Sequence, residues 1–276
     1  MEIMDGKALA AEIRAELKVK IEKMQQKPGL AVVIVGEDPA SQIYVRNKIK
    51  ACAELGIRSY SYELPETASQ AELEELLDKL ALDSDVNGIL LQMPLPKNFD
   101  EDSAMAHIPV EKDVDGFTAT NLGLLMQHKE KIVACTPLGV MKMLEKYGID
   151  PAGKNAVVLG RSETVGKPMA MLLLNANATV TVCHSRTQNC KEICKKADIL
   201  IAAVGKPKFV TADMVKDGAV IVDVGINRDE NGKLCGDVDF QNVKEKASYI
   251  TPVPGGVGPM TIAMLMYNTY LTACKE

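Results

Sequence analysis

Short apolar blocks rich in Val and Ile recur along this chain between stretches of helical spacing, and that alternation restricts its fold more than any other feature. GLAVVIVG from Gly29, GILLQ from Gly88 to Gln92, NAVVLG, TVTVCHS, DILIAAVG, AVIVDVG and SYITPVP are the blocks. Near-continuous apolar runs of this length are what strands covered on both faces need. A strand near Ile57 to Leu64 adds to them, and Pro39 through Glu54 and Ser69 through Leu82 read as helices. Strands alternating with helices are βα units around a largely parallel sheet, so the expected fold class is α/β. The rhythm breaks at MPLPKNFDEDSAMAHIPVEKDVDGF, whose three prolines and charge cluster predict a long functional loop holding one short helix. A second βα series begins at Lys154. With 276 residues the chain can form one large or two medium domains.

Several function classes fall away. The 32 Lys+Arg against 37 Asp+Glu, a net charge of −5, argue against a broad electrostatic footprint for nucleic acid or anionic membrane. No apolar run approaches the roughly 18 residues of a membrane span. The opening MEIMDGKALAAEIRAEL has helical spacing and lacks the cationic start and apolar run of an export signal, so a cytoplasmic protein is expected. Seven scattered Cys, an odd number, point to reduced thiols. Cys183, Cys190 and Cys194 beside His184 match no zinc spacing, and no metal is expected. Asp113 and Asp115 in KDVDGF begin like a calcium loop, but Phe117 and Leu124 stand at ligand positions. Both acids could otherwise be turn formers. His107 and His128 read as loop or cap residues, and the fourteen Met as core filling.

GRSETVGKP, Gly160 to Pro168, follows a strand and opens the helix MAMLLLNAN. Gly160 permits a tight turn, Gly166 lets backbone approach a pyrophosphate, and free N–H groups at the helix start attract the anion. The spacing is not GxGxxG, and a plain strand-to-helix turn is the alternative. In dinucleotide folds the end of the second strand meets the adenosine ribose, where an acid selects NAD. Here that strand ends in His184, Ser185, Arg186 and Thr187, with no acid. Arg161 lies in the first loop, and two guanidinium groups with a hydroxyl favour NADP over NAD because Arg forks match phosphate oxygens. Solvated surface arginines are the other reading. Within SQIYVRNK, Ser41, Tyr44 and Lys48 stand at i, i+3 and i+7 on one helix face, where a hydroxyl, a phenol and an amine can do proton work. The YxxxK spacing occurs in short-chain dehydrogenases, but there it follows the nucleotide loop, and here it precedes it. A surface Tyr with a snorkelling Lys remains the bland alternative. Gln92 ends its strand, where open α/β sheets place ligands.

Taken in order, YVRNKIKACAELGI, GILLQMPLP, KDVDGF, TPLGVM, GRSETVGKP, TVCHSRT, GDVDF and TPVPGGVGPMT cover essentially the whole chain. Together they resemble the bifunctional methylenetetrahydrofolate dehydrogenase/methenyltetrahydrofolate cyclohydrolase family. The resemblance implies Lys48 as the catalytic lysine, Gln92 as its orienting partner, Tyr44 as the ring stacked on the pterin and Asp115 as the acceptor of the pterin's amino edge. It puts Ser41 near the substrate, along with Gly255 and Gly256 of the PGGVGPMT loop, whose Pro259 suits a helix start. A hinge without ligand contact is the alternative for that loop. For the cofactor, NADP rather than NAD, it implies Gly160, Arg161, Ser162, Val165, Gly166 and Pro168, then His184, Ser185 and Arg186, with Ile226 near the nicotinamide. Asp113 is expected to point elsewhere and matter much less than Asp115.

The resemblance further implies a folate-binding catalytic domain over residues 1–137, completed by a C-terminal helix over 261–276, and a Rossmann-like NADP-binding domain over 138–260. It implies a homodimer acting on a reduced folate in one-carbon metabolism. Hydride passes from methylenetetrahydrofolate to nicotinamide, which needs only positioning. Water then opens the methenyl ring to 10-formyltetrahydrofolate, with Lys48 moving protons where burial populates its neutral amine. A monofunctional dehydrogenase of the same fold and a non-catalytic nucleotide-sensing module are the competing readings.

Overall fold

The computed structural model describes residues 1–274. Along the chain run β1 (Glu2–Ile3), α1 (Gly6–Glu22), β2 (Gly29–Val35), α2 (Pro39–Leu55), β3 (Arg58–Leu64), α3 (Gln70–Leu82) and β4 (Gly88–Leu91). Three helices follow, α4 (Glu101–Ala106), α5 (Ala119–Met126) and α6 (Cys135–Lys146). Then come β5 (Asn155–Leu159), α7 (Gly166–Asn175), β6 (Thr179–Cys183), α8 (Cys190–Cys194), β7 (Ile199–Ala202) and β8 (Val220–Asp223). The chain ends through β9 (Asn227–Arg228), β10 (Leu234–Cys235), α9 (Phe240–Val243), β11 (Tyr249–Ile250) and α10 (Val257–Ala273). It separates into two compact units. One comprises Glu12–Cys135 with the chain from Ile262 onward, the other Met1–Ala11 with Thr136–Thr261.

The unit built on Glu12–Cys135 carries a three-stranded parallel sheet in the order β3-β2-β4. Every residue of β2 and β4 is buried, as their unbroken apolar runs require, while β3, RSYSYEL, alternates between half-buried and exposed as an edge strand should. Asp38 caps α2 by accepting from the Ser41 amide at 2.8 Å, Pro39 takes the first helical position, and Gly56 at φ 74° ends the helix. A reciprocal Ser69–Glu72 capping box starts α3. Leu73, Leu77 and Leu80 of α3 pack on Ala31, Val33 and Ile89 of the sheet to make the core. The loop expected after β4 does hold the short helix α4, whereas α5 and α6 were not anticipated.

The other unit holds a six-stranded sheet in the order β1-β11-β8-β7-β5-β6, parallel throughout. By its contacts the segment Met1–Ala11 belongs here, whereas residues 1–137 were expected to form the first domain. Glu2 and Ile3 pair with Tyr249 and Ile250, where the sequence suggested helix from the start. The cause is tertiary. Met4 is fully buried, and Gly6 lies so close to the Gly256 carbonyl that a Cβ there would come within 1.9 Å of its oxygen. Between β7 and β8 the crossover carries only a 3₁₀ turn, Ala212–Met214. The last two residues of the expected C-terminal helix, Lys275 and Glu276, lie outside the described residues.

Candidate active site

Gln92 directly follows β4, and its carboxamide meets Lys48 from α2. The Lys48 Nζ donates to Gln92 Oε1 at 3.0 Å, while Gln92 Nε2 donates to the Met93 carbonyl at 2.7 Å. The second bond fixes which end of the amide faces the lysine. Tyr44 lies one helical turn before Lys48 and is 39% exposed, a ring with a free face. Ser41 is buried in the first turn of the same helix.

Asp115 completes this cluster. Burial raises its carboxyl above the ordinary carboxylate range, the Lys48 charge pulls it down, and the charge of Asp113 adds to the rise. The Cys135 thiol at the start of α6 stands within hydrogen-bond reach of Asp115 and donates to the Val114 carbonyl at 3.3 Å. Burial, then the Asp115 charge, pushes that thiol well above its usual value, so it remains a donor. Asp113, by contrast, is fully buried and spends its oxygens on the loop. Oδ1 accepts from the Gly116 amide at 2.9 Å, and Oδ2 from the Thr118 amide and Asn121 Nδ2, both at 2.8 Å. Gly116, at φ 72°, allows this loop against the next segment, since a Cβ there would lie 2.6 Å from the Ala134 amide nitrogen. From α10, the buried Asn268 donates through Nδ2 to the Val114 carbonyl at 2.8 Å and the Val133 carbonyl at 3.0 Å. Cys135 and Asn268 were not singled out in the sequence; each meets Asp115 or its neighbours across more than a loop, and no local pattern marks them.

Ser41, Tyr44, Lys48, Gln92 and Asp115 thus share one unit. Gly255 and Gly256 belong to the other, where the Gly255 carbonyl accepts from the Lys7 amide at 2.9 Å.

In that second unit a cavity of about 460 Å³ opens at the C-terminal ends of β5, β6 and β7, lined by Gly160, Arg161, His184, Ser185, Thr187 and Lys206 among others. The chain runs from β5 to β6 on one side and then to β7 on the other. Such a reversal of strand order is where open α/β sheets bind nucleotides. Gly160, at φ 120°, is forced: a Cβ would sit 2.1 Å from the Ala203 carbonyl oxygen. Gly166 is as tightly placed, 2.3 Å from the Gly160 oxygen by the same measure. The amides expected to be free at the start of α7 are in part already bonded, because Ser162 Oγ accepts from Val165 N at 3.2 Å and Gly166 N at 3.3 Å. Ser162 therefore shapes the loop, and Pro168 is buried behind it. His184 is drawn into its own turn, its Nδ1 accepting from the Arg186 amide at 3.1 Å and its amide donating to Thr187 Oγ1 at 2.9 Å. Arg161 and Arg186 are exposed, and no carboxylate among the described residues pairs with either guanidinium. Two unneutralised cations beside a cavity of this size suit a phosphorylated nucleotide. Lys206, 5.9 Å from the centroid of the Phe209 ring, adds a third charge that the sequence reading did not pick out. Ile226 follows β8, outside this lining, and is 50% exposed. Nearby, Cys190 and Cys194 bring their sulfurs to 4.0 Å, and burial lifts the Cys183 thiol to about 11. No group of His, Cys, Asp and Glu among the described residues is arranged to hold a metal ion.

Residues 4–115 match the family model for the tetrahydrofolate dehydrogenase/cyclohydrolase catalytic domain, and residues 134–276 match that for its NAD(P)-binding domain. The chain belongs to the tetrahydrofolate dehydrogenase/cyclohydrolase family. It is 59% identical over 276 residues to the bifunctional protein FolD of Campylobacter concisus, covering 99% of this chain and 98% of the relative. The solved FolD methylenetetrahydrofolate dehydrogenase/cyclohydrolase of Campylobacter jejuni superposes with a TM-score of 0.96 at 51% identity, covering 99% and 98%. The Trypanosoma brucei enzyme, solved with NADP cofactor and inhibitor, gives 0.92 at 40% identity, covering 97% and 95%. The two family models divide the chain much as its contacts do, apart from the N-terminal residues claimed by the six-stranded sheet and the segment from Ile262 onward, which the contacts join to Glu12–Cys135.

Proposed function

We propose that this chain oxidises 5,10-methylenetetrahydrofolate to 5,10-methenyltetrahydrofolate with NADP and hydrolyses the product to 10-formyltetrahydrofolate, serving one-carbon metabolism. The observation that carries the reading is Lys48 Nζ held at 3.0 Å from Gln92 Oε1 beside the half-buried Asp115, in the part of the chain that matches a folate catalytic domain.

NADP, when bound, accepts the hydride at C4 of its nicotinamide. Loss of hydride from the methylene carbon leaves a resonance-stabilised cation and moves no proton, so the protein's task in this step is to hold the folate. Tyr44 covers the pterin face and Asp115 accepts from its amino edge, with Ser41 beside them. In the second step water adds to the methenyl carbon. One of its protons is released, and the other is relayed to N5 as the bond from N5 to that carbon breaks, leaving the formyl group on N10. Lys48 carries the relay, and Gln92 keeps its Nζ aimed at the reacting carbon. On the cofactor side, Gly160 and Gly166 let backbone approach the pyrophosphate, Ser162, Val165 and Pro168 hold the turn, and His184 closes the pocket. Arg161, Ser185 and Arg186 bind the 2′-phosphate, which favours NADP over NAD. Ile226 flanks the nicotinamide. The protein works in the cytoplasm as a homodimer, two-fold homo-oligomers being the commonest assembly; no helix among the described residues is long and apolar enough to cross a membrane.

Lys48→Met tests the reading. General acid–base catalysis contributes about a hundredfold or more, so hydrolysis of the methenyl substrate should fall by that factor. NADP affinity, measured by calorimetry, should stay within about twofold, since a lysine of the other unit contributes no 2′-phosphate contact. Near-normal hydrolysis would remove Lys48 from the mechanism.

A further inference from the structure

Two carboxylates buried in the nucleotide-binding unit have no part in the chemistry above. Asp223 ends β8 and Asp237 follows β10; the first is 3% exposed and the second is fully buried. Among the described residues no cation pairs with Asp237. Its Oδ2 accepts from the Val204 amide at 2.6 Å and the Gly205 amide at 3.0 Å, its Oδ1 from the Lys206 amide and Asn227 Nδ2, both at 2.8 Å. Asp223 in turn accepts on Oδ1 from the Asp237 amide at 2.9 Å and the Gly225 amide at 3.0 Å, and on Oδ2 from the Val238 amide at 2.9 Å. One carboxylate therefore grips the backbone that carries the other.

The fit leaves no slack. A Cβ on Gly236 would lie 1.8 Å from Asp223 Oδ2, and one on Gly225 2.3 Å from Asp237 Oδ1. Burial lifts the Asp223 carboxyl to about 7, the amides of Val238 and Asp237 pulling it down and the Asp237 charge adding to the rise. Such a value can mark an acid–base group. Here both oxygens are spent on backbone, and hydride transfer needs no base.

What the donors have in common is their position. Val204 and Lys206 line the cavity at the ends of β5 and β6, and Asn227 directly follows the exposed Ile226. We propose that Asp237 is a positioning residue for the cofactor: by gathering the amides of Val204–Lys206 and the Asn227 carboxamide on one carboxylate, it fixes the adenosine side and the nicotinamide side of the site as a single piece. Four donors converging on one anion form a rigid node, because each charge-assisted bond opposes displacement of the others. The inference rests on the reading of that cavity as the NADP site.

The test uses the full chain with Asp237→Asn, which replaces one acceptor oxygen with an NH2 group facing N–H donors, and Asn227→Ala, which removes one donor and leaves the carboxylate. Calorimetry should show the NADP dissociation constant rising about tenfold or more in the first and severalfold in the second, as loss of charged hydrogen bonds predicts. The KM for NADP should rise in parallel. Hydrolysis of the methenyl substrate, which needs no cofactor, should be unchanged, and a loss of the overall fold would not spare it. Folded variants that bind NADP like the wild type, or that lose hydrolysis in equal proportion, would overturn the proposal. Should Asp237→Asn fail to fold, Asn227→Ala decides alone. A wild-type chain that binds no NADP would instead overturn the cavity reading, and the inference with it.

Discussion

Asp113 and Asp115 stand two residues apart in KDVDGF and are chemically identical, yet the structure gives them opposite work. Asp113 satisfies three buried donors, while Asp115 is left facing Lys48 and the Cys135 thiol. Asp113→Ala should therefore cost stability, roughly 1–3 kcal/mol for each buried donor left unsatisfied, which a thermal melt reads as a large fall in Tm. Asp115→Ala should melt near the wild type and lose about one to two decades of folate affinity, a charged hydrogen bond being worth about 1.5–3 kcal/mol. The reverse assignment of melting and binding defects would sink this division of roles. Asp113, expected to point away from the folate, has its oxygens bonded within the loop and so serves the fold. The helix face of Ser41, Tyr44 and Lys48 was legible in the sequence because its spacing is local. Which aspartate belongs to the site followed from the resemblance and not from spacing, because it depends on where Gly116, Thr118 and Asn121 bring their donors.

Elements were legible where one period governed them. β2, β4, β5, β7 and β8 all lie within the apolar blocks, since strands buried on both faces leave no room for polar residues. β1 was missed because two residues carry no period, and α5 and α6 because the prolines and charges around them read as loop. The C-terminal helix α10 shows how much an element can hide. Its sequence from Val257 is apolar nearly all round, and one of the polar residues it buries, Asn268, bonds the carbonyls of Val114 and Val133, far back in the chain. Asn268→Leu should leave both carbonyls without this donor, at a cost of about 1–3 kcal/mol. Because Val114 precedes Asp115, methenyl hydrolysis should fall as well. Wild-type melting and turnover in that variant would show the bond to be incidental.

For the molecule as a whole, the proposed assembly is a homodimer, and its mass is the direct test. Sedimentation should give twice the chain's 29.9 kDa at micromolar concentration, and a mass that stays at one chain on concentrating would remove the dimer. The six-stranded sheet carries a last consequence for how such a chain is made. Its outer strand is Glu2–Ile3, and the partner of that strand is Tyr249–Ile250. Synthesis releases the one from the ribosome long before the other exists, so this edge of the sheet cannot close until nearly the whole polypeptide has emerged. Pairings so distant in sequence delay folding, since loop closure must be met before the contact rewards it. The unit that binds nucleotide is thus begun first and finished late, while Glu12–Cys135 has its own sheet complete by residue 91.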